Sequence, residues 1–272
     1  MSGQPLPARP RRRWIWVIVA LLTAVVLVTP PALRIALKQE MHHEFAQLGL
    51  YRRPVTAVEV SAPGNAVAVT VGQPGQVSVS GELSWVFSRP VVRDAWRGTT
   101  LSITVRCPAP DLFEDCAAGL TVHVPATVAV AVSVGSGGAA LTGLSGPVRA
   151  AATSGSLALG YVSGPVLASV TSGSIRALTG LTSRQLTAEV TSGSLTLGFD
   201  RAPALLTLVI GSGSGKISLP PATRYRITAG PSAGGVHVAP GMSSLRAAGL
   251  ISAEVGSGSL AIGYPGVGAV GS

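Results

Sequence analysis

The sequence predicts an all-β protein: a β-solenoid, or β-helix-like stack, of 18–20-residue coils, preceded by a single N-terminal transmembrane helix. Three observations predict it. A short glycine–serine turn recurs along the chain, apolar residues alternate on both sides of each copy, and a basic cluster precedes a long uncharged run at the N-terminus. Composition points the same way. With 47% apolar residues, 11% charged residues and 34 glycines in 272, too few helix-favouring charged residues remain for long soluble helices.

The turn appears as "TSGSLALG" at 153, "TSGSIRAL" at 171, "TSGSLTLG" at 191, "GSGSGKIS" at 211 and "GSGSLAIG" at 256, with a weaker "GSGGAALT" at 135. Its central glycines are Gly137, Gly155, Gly173, Gly193 and Gly213, at intervals of 18, 18, 20 and 20 residues, and then Gly258 after a degenerate copy near Ser232 and Gly234. The copy at 211 superficially suggests a phosphate loop. That motif needs a glycine where Ile210 stands and a hydroxyl where Ile217 stands, and the dinucleotide pattern would need glycine at Lys216. A turn that recurs at fixed intervals is a structural repeat.

Alternation makes the flanks strands. Seven, five and three residues before the turn glycine come Val148, Ala150 and Ala152, then Val166, Ala168 and Val170, then Leu186, Ala188 and Val190; Leu206, Leu208 and Ile210 continue the pattern, and Ile251, Ala253 and Val255 close it. Period two with one apolar face is a half-buried strand. A unit this short cannot bury its apolar face alone, so it must stack on its neighbours at about 4.8 Å per rung. A β-sandwich also has short, regularly spaced strands. Fixed offsets from an identical turn favour the solenoid, and they place Val148, Val166 and Leu186 directly over one another.

The expected organisation is a basic cytoplasmic tail at 1–13, a transmembrane signal anchor at 14–33, a juxtamembrane helical stalk at 34–54, an irregular β head or cap at 55–126, the repeat solenoid at 127–264 and a disordered tail at 265–272. Arg9, Arg11, Arg12 and Arg13 precede twenty uncharged residues, which as a helix span about 30 Å, the hydrocarbon thickness of a bilayer. A cleaved signal peptide is the rival, but "VTPPALRIA" offers no small-x-small cleavage site. The positive-inside rule then puts the N-terminus in the cytoplasm and the C-terminal domain outside a plasma membrane crossed once, with Arg34 and Lys38 reducing the bias. Leu33, Leu37, Met41, Phe45 and Leu48 fall at helical spacing and predict the stalk; His42 and His43 suit its solvated face better than a metal site.

Residues 1–53 hold eight basic and two acidic residues, so +6 of the net +9 lies there. The basic character is therefore a membrane-insertion signal, and nucleic acid is not an expected partner. Cys107 and Cys116 most simply pair as a disulfide in an oxidising compartment. Zinc is the less favoured reading, since C-x8-C lacks the usual ligand spacing and His123 is the lone third candidate.

The cysteine pair followed by "LTVHVPATVAVAV" and "GLSGPVRAAATSGSLALGYVSGPVLASVTSGSIRALTG" resembles the bacterial β-strand-repeat putative-adhesin domain family, over residues 55–264. The resemblance implies a β-helical fold and a cell-surface setting, with adhesion as its label. Members often carry Asp or Asn after the turn glycine; here Ser156, Ser174 and Ser194 stand there, which gives calcium binding nothing to carry over.

These readings lead to a membrane-anchored, extracytoplasmic, non-enzymatic module for adhesin-like binding, scaffolding or envelope sensing, without cofactor or metal, whose partner is an envelope glycan or another surface protein. The alternative is a carbohydrate-active β-helix enzyme. Glu189 and Glu254 share an offset but lie three coils apart by repeat counting, about 14 Å, beyond the 5–9.5 Å of glycosidase carboxylates. Tyr161, Phe199 and Tyr264 each lie six residues after a turn glycine and form either a corner ladder in the core or a stacking platform for sugar rings. Trp85, Phe87 and Trp96 with Arg89, Arg93 and Arg97 are a second patch, read first as the core of the head.

Overall fold

Strands form wherever alternation exists. In chain order they are β1 (His42–Tyr51), β2 (Ala57–Ala62), β3 (Val67–Val71), β4 (Val77–Trp85), β5 (Val91–Arg97), β6 (Thr100–Arg106), β7 (Cys116–Val124), β8 (Ala129–Val134) and β9 (Gly138–Thr142). They continue as β10 (Val148–Ala152), β11 (Ser156–Gly160), β12 (Val166–Leu181), β13 (Gln185–Phe199), β14 (Leu205–Ser218), β15 (Tyr225–Ala229), β16 (Gly235–Val238) and β17 (Gly249–Gly263). The computed structural model describes residues 17–24, 42–86, 88–107, 116–230 and 234–265.

Matched offsets pair in register. Val166 pairs with Val148 on one side and Leu186 on the other, Leu186 with Leu206, and Leu206 with Ile251, all parallel. None of these five side chains is more than 4% exposed. At about 1.5–3 kcal/mol for each fully buried aliphatic side chain, such columns are the main source of stability.

All seventeen strands among the described residues belong to one sheet. One parallel ladder runs β6–β2–β8–β10–β12–β13–β14–β17–β15. The other runs β7–β3–β9–β11–β12–β13–β14–β17–β16. Four long strands, β12, β13, β14 and β17, pass through both ladders, so the sheet wraps around a single apolar core and is barrel-like, nearly closed.

This corrects the expected β-solenoid. The rungs are not successive coils in chain order: β2 lies between β6 and β8, and β17 lies between β14 and β15. Two pairs, β4 with β7 and β5 with β6, are antiparallel. Periodicity reports which residues share a face, but not which rung lies beside which. Edge protection supplies the missing rule, because an unpaired edge invites association and short strands blunt it. Placing fifteen-residue β17 inside leaves only β15 and β16, of five and four residues, at that edge. At the other end β5 covers β6, β4 covers β7, and β1 pairs with β4.

The expected membrane span is also corrected. Residues 1–42 form a separate unit, in which residues 17–24 make a helix (α1). Eight residues reach about 12 Å, against the ~30 Å of a bilayer core. No helix among the described residues is long and apolar enough to cross a membrane, which overturns the single-pass plasma-membrane placement. The remainder of 14–33, the tail at 1–13 and residues 266–272 lie outside the described residues. Within the expected helical stalk, His42–Tyr51 is strand β1, because pairing with β4 satisfies its backbone and seats Leu48 against Gly81; residues 34–41 lie outside the described residues.

Candidate binding surface

The recurrent turn is where the long strands bend between ladders. Gly173, Gly193, Gly213 and Gly258 pair in register, with φ between 140° and 156°. A β-carbon on Gly193 would be driven into the Gly173 carbonyl, 2.9 Å from its carbon, and each glycine of the column meets the rung before it in the same way. Gly137 and Gly155 belong to the same column, which ends on the Asn65 carbonyl. Asn65 is 5% exposed, and its Oδ1 accepts the Ala118 N–H at 2.6 Å. The corner is thus closed backbone flanked by hydroxyl rows such as Ser172, Ser192, Ser212 and Ser257, which face solvent. These glycines are structural.

The three aromatic residues read as either a corner ladder or a platform are not brought together. Phe199 is 4% exposed in the core, opposite Leu181, and the half-buried Tyr264 donates its hydroxyl to the Thr223 carbonyl at 2.9 Å. Tyr161 alone is open, 65% exposed, with φ of 53°. A bulky residue in the left-handed region costs about 1–2 kcal/mol, so the surrounding structure holds it there.

A β-bulge lies beside it. Ala158 pairs with Arg176 but Gly160 pairs with Thr179, and on the far side Ala177 pairs with Leu197 while Leu181 pairs with Phe199. Residues 178–180 thus stand opposite the single residue Gly198, and Leu178 lacks a ladder partner on both sides, a local feature that re-aims side chains. Gly180 has φ of 70°, and a β-carbon there would lie 2.8 Å from Tyr161 Cγ, so the ring rests against bare backbone. The Gly180 N–H donates to Asp200 Oδ2 at 3.0 Å, and Leu178 on the same bulge is 67% exposed. One glycine thus gathers an open aromatic ring, an exposed carboxylate and an exposed aliphatic side chain.

Comparisons with known proteins add the following. No family model matches the chain, the repeat family expected from its sequence included, and no curated protein matches it. Solved structures do. A "putative cell adhesion protein" from Clostridium sporogenes is 8% identical with a TM-score of 0.39, covering 82% of this chain and 99% of that one. A "putative adhesin" from Parabacteroides merdae is 10% identical with a TM-score of 0.39, covering 82% and 96%. A "putative lipid binding protein" from Parabacteroides distasonis is 12% identical with a TM-score of 0.32, with the same coverage.

The second aromatic patch is internally engaged. Tyr51 meets Trp96 edge-on at 5.5 Å, and the Arg53 guanidinium lies 4.4 Å over the Trp96 ring. Burial, followed by the charge and hydrogen bond of Asp94, pushes the Tyr51 hydroxyl up to about 12. Arg89 lies 5.6 Å over Trp85 and pairs with Glu44 at 2.8 Å. These contacts tie β1 to the β4–β5 end. Arg93 and Arg97 are exposed on β5, and Phe87 lies outside the described residues.

Cys107 and Cys116 form a disulfide with Cα atoms 6.1 Å apart, and His123 Nδ1 shares a hydrogen bond with Thr70 Oγ1 at 2.8 Å. Among the described residues no group of three or more His, Cys, Asp or Glu could hold a metal. Glu189 and Glu254 both flank Val209 in one outward column. They stand two rungs apart, about 9.6 Å, rather than the three coils expected, because β15 and β16 lie beyond β17. An open groove of about 420 Å³ runs over the same face, past Glu59, Ser61, Arg149, Leu167 and Ser169.

Sequence reasoning singled out Tyr161 but missed Gly180, Leu178 and Asp200. The signal was present as the change of repeat from 18 to 20 residues between Gly173 and Gly193, where "RALTGL" carries the extra residues.

Proposed function

We propose that this protein is a non-enzymatic, adhesin-like binding or scaffolding module, its barrel-like sheet serving as a rigid frame and its partner an envelope glycan or another surface protein. The observation that carries this reading is Tyr161: a large aromatic side chain, 65% exposed, in a costly backbone conformation beside a bulge. An exposed aromatic of this kind contributes little to a core, and local strain concentrates where ligands are held. The test is retention of the purified protein on envelope polysaccharide and protein fractions, run beside a turnover screen on the same polysaccharides. Saturable retention without turnover supports the module; hydrolysis contradicts it.

The second reading, a carbohydrate-active enzyme, is favoured by the spacing of Glu189 and Glu254, which sits near the 6.5–9.5 Å of inverting glycosidases. In that case Glu189→Gln or Glu254→Gln should abolish turnover while leaving the fold intact.

A further inference from the structure

We propose that Tyr161, Leu178 and Asp200, around the bulge, form a subsite for one uncharged pyranose ring with equatorial hydroxyls. The inference rests on the binding-module reading and names its ligand class. Tyr161 and Leu178 are 65% and 67% exposed; Leu178 stands on the bulge and the Tyr161 ring covers Gly180 two residues on, so two open apolar side chains border the same glycine as a ledge. A pyranose ring with equatorial hydroxyls presents a flat C–H face, which suits an open aromatic ring supported from behind by the Gly180 backbone.

Asp200 supplies the polar half. Its Oδ2 accepts the Gly180 N–H at 3.0 Å, which fixes the carboxylate beside the ledge. A carboxylate has about four lone-pair positions, so most remain for hydroxyl donors, and such charge-assisted bonds are the strong ones. The same negative charge repels an acidic sugar. A quaternary ammonium ion is the competing occupant, but recognition of that ion uses an aromatic cage, and here one aromatic ring stands beside an aliphatic side chain. A single open ring and one carboxylate give an affinity of about millimolar.

The experiment is a titration of the isotope-labelled protein with cellotetraose and chitotetraose, with a galacturonate oligomer and tetramethylammonium as controls. The readouts are the Gly180 and Asp200 amide shifts and the thermal midpoint. Saturable shifts with a neutral oligosaccharide are expected, kept within about threefold in Tyr161→Phe and weakened at least about tenfold in Tyr161→Gly. Because glycine accepts a φ of 53°, Tyr161→Gly should melt no lower than the parent chain. Shifts only with galacturonate or tetramethylammonium, or no shifts while Tyr161→Gly keeps its midpoint, would overturn the sugar class and leave the binding-module reading standing. A midpoint many degrees lower in Tyr161→Gly would make Tyr161 a packing residue and remove the ground for both.

Discussion

The carbonyl carbon of Gly173 lies 2.9 Å from the point where Gly193 would carry a β-carbon. Every side chain larger than hydrogen is therefore excluded from this column, in which successive backbones pack at the bend between the two ladders. Gly193→Ala must move a rung as well as accept a φ of 140°, and should lose about 2–4 kcal/mol in chemical denaturation. Gly75→Ala is the control: φ is 76° but the space around it is open, so only the backbone term of about 1–2 kcal/mol should appear. Equal losses at the two positions would refute the crowding argument.

Asn65 closes the glycine column at its first rung and takes the Ala118 N–H. Asn65→Ala leaves that buried donor without its partner and should destabilise by about 1–3 kcal/mol. Amide hydrogen exchange at Ala118 should accelerate beyond the global change. Unchanged exchange there would contradict the assigned hydrogen bond.

The disulfide joins the end of β6 to the start of β7 over a separation of nine residues. Loop-closure entropy for so short a loop gives about 2–3 kcal/mol in the chain-entropy model. The paired substitution Cys107→Ser with Cys116→Ser should lower the unfolding free energy by that amount, while β8–β17 keep their exchange protection.

Tyr51 provides a pH signature. Its hydroxyl is raised from 10.0 to about 12, mainly by burial and then by Asp94. Because the folded pKa exceeds the unfolded one, the folded state holds the proton more tightly. The resulting stability is fully present below pH 10 and is lost as pH rises through about 12. Burial also raises the Tyr225 hydroxyl, so phenolate absorbance should show two late-titrating tyrosines, of which Tyr51→Phe removes one and Asp94→Asn brings one earlier. No late tyrosine in the parent chain would contradict the placement of Tyr51 beside Asp94.

The strands and their faces were legible because period-two alternation depends on local sequence alone: Val148, Val166 and Leu186 announce an inward column at once. The order of rungs was not, since nothing in residues 205–263 states that β17 pairs with β14 before β15 does. That arrangement is decided by which edges would remain unpaired, a property of the whole sheet. Phe45 and Leu48 misled because apolar residues three apart fit a helix, whereas the partner strand β4 lies more than thirty residues on. The ledge was half legible: Tyr161 stood out by position, but the bulge beside it, with its neighbour Asp200, is created by pairing between distant residues.

Cross-linking the last rungs tests the order of the rungs in the sheet most directly. Thr207 and Thr228 both pair in register with Ser252, from opposite sides. Cysteine pairs made by Thr207→Cys with Ser252→Cys, and by Ser252→Cys with Thr228→Cys, should both form disulfides under mild oxidation, and Thr207→Cys with Thr228→Cys should not. Efficient bridging of positions 207 and 228, with 207 failing to reach 252, would show rungs stacked in simple chain order and would contradict the architecture.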